Sequence, residues 1–309
     1  MKSGSRLESV LDSGKFAVTA ELGPPRGNLN EKVDAKAKML GDIVDAINVT
    51  DNQTAVVRLS SMAVSARLVS LGHEPVLQMV TRDRNRIALQ SDVLGAASLG
   101  IKNMLCLSGD HQSFGNQKHA KGVYDIDSLQ LIAAVKRIRD EGMILDSVDP
   151  LEGEVRMFIG AAENPFAEPR EFRPLRLRKK AEAGADFIQT QCIYDISLFR
   201  EFMKEVTDLG LHERCHILAG VTPLKSYRMA SYMAERVAGV VIPESILRRM
   251  KDAPEGKGAE TGIAICCELI EELRSIEGVH GLHLMAIEWE SRVREILEKT
   301  GLLPADRDL

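Results

Sequence analysis

The 309-residue sequence contains no run of 18 consecutive apolar residues, so it offers no candidate transmembrane helix. Its opening, MKSGSRLESVLDSGK, lacks the apolar stretch of a signal peptide. Cysteine is scarce: Cys106, Cys192, Cys215, Cys266 and Cys267 have no metal-ligand spacing and form no even framework, so buried thiols are expected rather than disulfides or a metal site. Basic charge is not in excess, since the formal net charge is −5, which argues against a nucleic-acid or anionic-membrane partner. No G-x-G-x-x-G follows the first strand and no Walker loop occurs, so a Rossmann domain is not expected. There is no G-x-S-x-G elbow of a hydrolase and no Cys/His cluster. A cytoplasmic enzyme without a resident metal is the expectation these absences leave.

What is present is alternation. Hydrophobic residues make up 44% of the chain, enough for one large core. Short apolar runs read as strands: FAVTAEL, AINVTD, EPVLQMV, NMLCLSGD, RMFIGAAE, FIQTQCIYD and HILAGVTP. Between them lie stretches of helical period such as NEKVDAKAKMLG, RNRIALQSDVLGAASLG, DIDSLQLIAAVKRIRDEG and PLRLRKKAEAGA. Repeated βα units predict a parallel sheet. For the eighth strand the candidates are GVVIPE (239–244) and GLHLMAIE (281–288). The second is longer and leads into the amphipathic WESRVREILEKTG, which leaves Val240–Gly278 as an irregular, partly helical excursion. Eight units predict a (β/α)8 TIM barrel, one domain over residues 1–309.

Strand ends carry polar residues: Glu21, Thr50 with Asp51, Gln78, Asp110, Asn164, and Gln189 with Gln191. In a barrel these ends converge on one face, where active sites of this fold are built. Helix capping explains Asp51 or Asp110 alone but not all six strands, because glutamine is a poor cap and Glu21 precedes a Pro-Pro turn. Spacing alone reaches a barrel enzyme with a carboxylate-and-amide pocket.

The stretches TAELGPPRG, LCLSGD and EAGADFIQTQCIYD resemble, in order, the E-F-F-P-P-R opening, the L-R-G-D strand end and the D-A-G-A…T-Q…F-D segment of methylenetetrahydrofolate reductases. The segment Pro75–Asp110 is similar to the branch holding short reductases of acetogenic bacteria and the reductase half of bifunctional homocysteine methyltransferases. The resemblance runs from about Phe16 to the end of the chain. It implies a flavin-bearing (β/α)8 barrel that interconverts 5,10-methylene- and 5-methyl-tetrahydrofolate, a step serving methionine biosynthesis. By position, Glu21 matches the catalytic glutamate, Asp110 an aspartate between flavin and pterin, and Gln191 a folate-binding glutamine. Thr50, Gly109, Tyr124 and Lys180 match flavin contacts, Gln78 stands where histidine is frequent, and Asn164 replaces a tyrosine flanking the cofactor. Ser108 replaces an arginine, Met229 a folate-binding glutamine and Trp289 a folate-tail arginine. Losing that arginine removes a bidentate anion contact, so FAD, the family habit, has FMN as its alternative. The resemblance also implies NAD(P)H or ferredoxin as electron donor, an oligomer, and in this branch a separate zinc-binding or iron–sulfur partner subunit.

The chemistry assigns roles. Opening the five-membered ring of methylene-tetrahydrofolate needs a proton delivered to a nitrogen, and a carboxylic acid of raised pKa suits that task. Leu22, Pro24 and Pro25 give Glu21 an apolar setting that disfavours its charge, making it the candidate general acid. A carboxylate at Asp110 can accept two hydrogen bonds from an aminopyrimidine ring, and Gln191 offers both a donor and an acceptor.

Overall fold

In a computed structural model, which describes residues 1–304, eight parallel strands close into a barrel in sequence order. The strands are β1 (Ala17–Leu22), β2 (Ala46–Val49), β3 (Pro75–Val80), β4 (Asn103–Leu107), β5 (Phe158–Glu163), β6 (Phe187–Cys192), β7 (His216–Val221) and β8 (Val279–Leu284). Closure is made by β1 against β8, with Ala17 paired to Gly281 and Ala20 to Leu284. The helices are α1 (Arg6–Asp12), α2 (Asn30–Leu40), α3 (Ser61–Ser70), α4 (Arg86–Ser98), α5 (Ser128–Glu141), α6 (Arg173–Ala183), α7 (Ile196–Asp208), α8 (Tyr227–Arg236), α9 (Glu244–Lys251), α10 (Gly258–Arg274) and α11 (Val293–Lys299). The (β/α)8 expectation holds; residues 305–309 of the expected 1–309 domain lie outside the described residues.

The strands read as near-continuous apolar runs because both of their faces are covered, one by helices and one by the barrel interior. Leu22, Ile47, Leu77 and Ile159 belong to the large core shared with the helices. Ala17, Ala46, Val76, Leu105, Phe158, Phe187 and Leu218 fill the lower interior together with Leu7 and Leu11 of α1. That short helix closes the N-terminal end of the barrel. It lies in the segment that the sequence showed only as a polar opening, and Ser5 caps it by accepting from the Glu8 amide at 3.0 Å.

Two details of the C-terminal third depart from the sequence reading. GLHLMAIE supplies the eighth strand, which starts two residues earlier, at Val279, and ends at Leu284. The excursion before it is regular, made of α9 and the 17-residue α10, whose Ile263, Cys266, Ile270 and Leu273 pack into the core. Pairing of β6 with β7 shifts register between Gln189 and Cys192. There the Thr190 hydroxyl accepts from the Gly220 amide at 2.8 Å, and a Cβ on Gly220 would lie 2.2 Å from the Thr190 carbonyl oxygen. The irregularity falls at the end of β6 that carries Gln189 and Gln191 to the mouth.

Candidate active site

Glu21, the penultimate residue of β1, is 6% exposed at the C-terminal end of the barrel. Burial pushes its carboxyl up to about 7, and the like charge of Glu290 adds to the rise. A hydrogen bond from Gln53 and the more distant cations Arg58 and Lys36 oppose it. Gln53 Nε2 donates to Glu21 Oε1 at 3.3 Å, and His283 Nε2 lies 4.0 Å from Oε2. Burial holds His283 neutral, with its pKa lowered to about 3. The site therefore has a carboxyl that is half protonated near neutrality, beside a ring that stays uncharged.

A cavity of about 390 Å³ opens above this group. Of the residues singled out in the sequence, Glu21, Gln78, Asn164, Lys180, Gln189 and Gln191 line it. Gln191 is turned back locally, its Oε1 accepting from the Cys192 amide at 3.1 Å. Lys180 is already engaged: Nζ donates to Glu163 Oε2 and to the Ala162 carbonyl, both at 2.6 Å. Glu163, buried at the end of β5, went unnoticed in the sequence, as did Arg176, an exposed cation one helical turn before Lys180 that also borders the cavity.

Thr50, Gly109, Asp110 and Tyr124 do not line that cavity; Thr50 directly follows β2, and the other three lie on the loop after β4, with Arg82 after β3 between them. Arg82 knits these loops together. It donates to the Asp110 carbonyl at 2.9 Å and the Asn52 carbonyl at 3.3 Å, pairs with Asp83 at 2.7 Å, and accepts at its own carbonyl from the Val123 amide at 2.8 Å. Asp110 is exposed and caps no helix: its Oδ2 accepts from the Thr54 amide at 3.1 Å. Gly109 has φ +85°, and a Cβ there would stand 3.1 Å from Val80. Tyr124 is 40% exposed with φ +42°. Thr50 is buried, and its hydroxyl has no hydrogen-bond partner among the described residues.

One short segment joins the two groups. In the turn Gln53–Ala55, Gln53 reaches Glu21 while the next amide, Thr54, holds Asp110. Asn52, Thr54 and Ala55 all have positive φ, an unusual cluster for residues with side chains. Gly115 allows the following loop to press on it, since a Cβ at 115 would sit 1.7 Å from the Ala55 carbonyl oxygen.

The departures noted in the sequence have local partners. Ser108 Oγ accepts from the Ser128 amide at 3.3 Å. The Met229 amide donates to Ser226 Oγ at 3.2 Å. Lys225 stands 5.6 Å above the Trp289 ring and donates to the carbonyls of Ile287 and Glu288. All five cysteines are buried and free, as expected. Among the described residues no group of acids, histidines and cysteines is placed to hold a metal, and no helix is long and apolar enough to cross a membrane.

Comparison with known proteins identifies the family to which this barrel belongs. A probable NADPH-dependent methylenetetrahydrofolate reductase of Caenorhabditis elegans is 23% identical over 98% of this chain and 45% of its own length. An NADH-dependent one of Arabidopsis thaliana is 24% identical over 98% of this chain and 51% of its own. The chain thus spans about half the length of these curated relatives. Among solved structures, an uncharacterized Clostridium thermocellum protein that binds two copies of 5-methyl-5,6,7,8-tetrahydrofolic acid superposes with a TM-score of 0.63 at 13% identity, covering 96% of this chain and 97% of that one. A profile of the methylenetetrahydrofolate reductase family matches residues 6–301, and the chain belongs to that family.

Proposed function

We propose that this chain interconverts 5,10-methylene- and 5-methyl-tetrahydrofolate with a bound flavin, and that Glu21 is the general acid. The observation that carries this reading is a buried carboxyl at the mouth of a barrel, raised to about 7 and bordering a cavity of about 390 Å³. Family membership and the methyl-tetrahydrofolate bound by the Clostridium thermocellum protein support a folate as the substrate.

The residues present fit a flavin. The side-chain amides of Gln78 and Asn164 border the cavity and suit the polar edge of a flat heteroaromatic ring, while the unpartnered Thr50 hydroxyl and Gly109 lie on neighbouring segments outside it. Lys180, paired with Glu163, is less available to a phosphate than the exposed Arg176. FAD remains the first expectation and FMN the alternative. When bound, the flavin supplies the hydride chemistry.

The chain's own residues do the rest. Glu21 holds a proton at its carboxyl near neutral pH and delivers it to a ring nitrogen of the methylene-folate, opening the five-membered ring. Gln53 then donates to the carboxylate left behind. Asp110, held by Thr54 and with open lone pairs, accepts from the aminopyrimidine edge of the pterin, and Gln191 turns out of its local bond to meet the same ring. Glu21→Gln tests the assignment because it keeps shape and removes the proton. In stopped-flow, the flavin should bind and be reduced normally while its oxidation by methylene-tetrahydrofolate slows about 10²-fold or more. A folate half-reaction within a few-fold of the parent would remove Glu21 from the mechanism.

The electron donor is proposed as NAD(P)H or, through a zinc-binding or iron–sulfur partner subunit, a ferredoxin. Val57 and Phe114, 57% and 77% exposed on the loops at the mouth, offer an apolar surface for such a partner. Bleaching of the flavin by NADH in the purified protein alone would favour the first route, and no bleaching the second.

A further inference from the structure

Beneath Glu21, four strands each place one polar side chain inside the barrel: Thr19 on β1, Asn48 on β2, Gln189 on β6 and His283 on β8. All four are buried, at most 3% exposed. A buried polar network costs free energy unless its members satisfy one another, and these do. Asn48 Nδ2 donates to Gln189 Oε1 at 2.6 Å, and Gln189 Nε2 returns a bond to Asn48 Oδ1 at 3.0 Å. The second Nε2 hydrogen of Gln189 goes to Thr19 Oγ1 at 3.2 Å. Thr19 has one hydroxyl hydrogen and two partners in reach, His283 Nδ1 at 2.9 Å and the Leu282 carbonyl at 3.3 Å. The shorter contact is to the ring nitrogen, and a hydroxyl that donates there leaves Nδ1 without a hydrogen. A neutral imidazole that accepts at Nδ1 carries its hydrogen on Nε2, the atom facing Glu21.

We infer that the Asn48–Gln189–Thr19 chain fixes His283 as the Nε2–H tautomer, making it a positioning residue whose donor meets the Glu21 carboxylate once Glu21 has given up its proton. The inference rests on the proposed role of Glu21 but not on the identity of the substrate. At 4.0 Å the donor is out of hydrogen-bond range, and an approach of about 1 Å brings it in. The charged carboxylate supplies the attraction for that approach, so the carboxylate gains a second donor beside Gln53. The ring itself stays neutral, so no proton is stored in the network. Other ionisable groups facing Glu21 are Glu290 after β8, Arg58 after β2, Lys36 on α2 and the buried, protonated thiol of Cys192 on β6.

The test is nitrogen-15 NMR of the histidine side chains in the full chain without folate, with His283 identified by loss of its signals in His283→Leu. The inference expects protonated Nε2 and bare Nδ1. If both amides are turned over and Nδ1 donates to Thr19, the opposite pattern appears and overturns it. Thr19→Val, which keeps shape and removes the hydroxyl, should raise the Glu21 titration midpoint by about half to one pH unit, while Thr19→Ser should leave it within a few tenths of the parent. An unchanged midpoint in Thr19→Val would also overturn the proposal. Because these readings need neither flavin nor folate, they can succeed where the reductase reading fails, and the reverse.

Discussion

On one side of the barrel mouth, the buried Glu21 of β1 lies above Thr19, Gln189 and His283, which are buried on β1, β6 and β8 and bonded to one another. On the other side, Asp110 and Tyr124 stand on exposed loops after β4, held in place by backbone contacts to Arg82 and Thr54. Both sides carry a carboxylate, but the surroundings separate their chemistry. Burial raises Glu21 to about 7 and makes it a proton donor at neutral pH. Asp110 is exposed and accepts a hydrogen bond from one backbone amide. The turn Gln53–Ala55 ties the two, since Gln53 bonds Glu21 and the Thr54 amide bonds Asp110.

The comparison can be broken most forcefully through stability. A carboxyl raised from 4.5 to about 7 in the folded state favours folding fully below about 4.5 and loses that contribution as pH rises through about 7. Glu21→Gln escapes the loss. Relative to the parent, it should gain roughly 3 kcal/mol between pH 4 and pH 8 in urea unfolding, the equivalent of the shift in pKa.

Arg82 sharpens the other side. Arg82→Met removes three hydrogen-bonded loop contacts and leaves Asp83 without its cation, so about 2 kcal/mol of stability should be lost. The loss should come with faster amide exchange at Thr54 and little change in the Glu21 midpoint beyond what loosening Gln53 brings. A rigid loop in the variant would show that Arg82 is not what joins these segments.

A smaller effect is expected at Asp110. Asp110→Asn keeps shape and removes charge, and folate affinity should fall about tenfold, the loss of one charge-assisted bond. Flavin binding should persist. Equal folate affinity in variant and parent would take Asp110 out of the binding site.

The sequence disclosed the two sides unequally. Strands β1 to β7 were legible because buried parallel strands are largely apolar runs, and Glu21 stood out as an acid at the end of one before a Gly-Pro-Pro turn. The helices α9 and α10 were not, because α10 opens on glycine and is apolar on much of its circumference, which blurs its period. Helix α1 is only seven residues long and depends on the barrel floor to bury Leu7 and Leu11. At the site, Thr19 and His283 are 264 residues apart, and a single polar residue within an apolar strand does not announce a partner. The pairing of Lys180 with Glu163 was hidden for the same reason. The one available signal was shared: AVTAEL, AINV, FIQTQC and VHGLHL each interrupt an apolar strand with a side chain able to hydrogen-bond.

The central claim is that Glu21 is an acid held protonated near neutrality by burial. Infrared difference spectra of parent minus Glu21→Gln, recorded across pH 4 to 9, follow the carbonyl stretch of this one carboxylic acid. The account predicts a single titration with a midpoint near 7. A carboxylate already ionised by pH 5, at the ordinary value for glutamate, would contradict it.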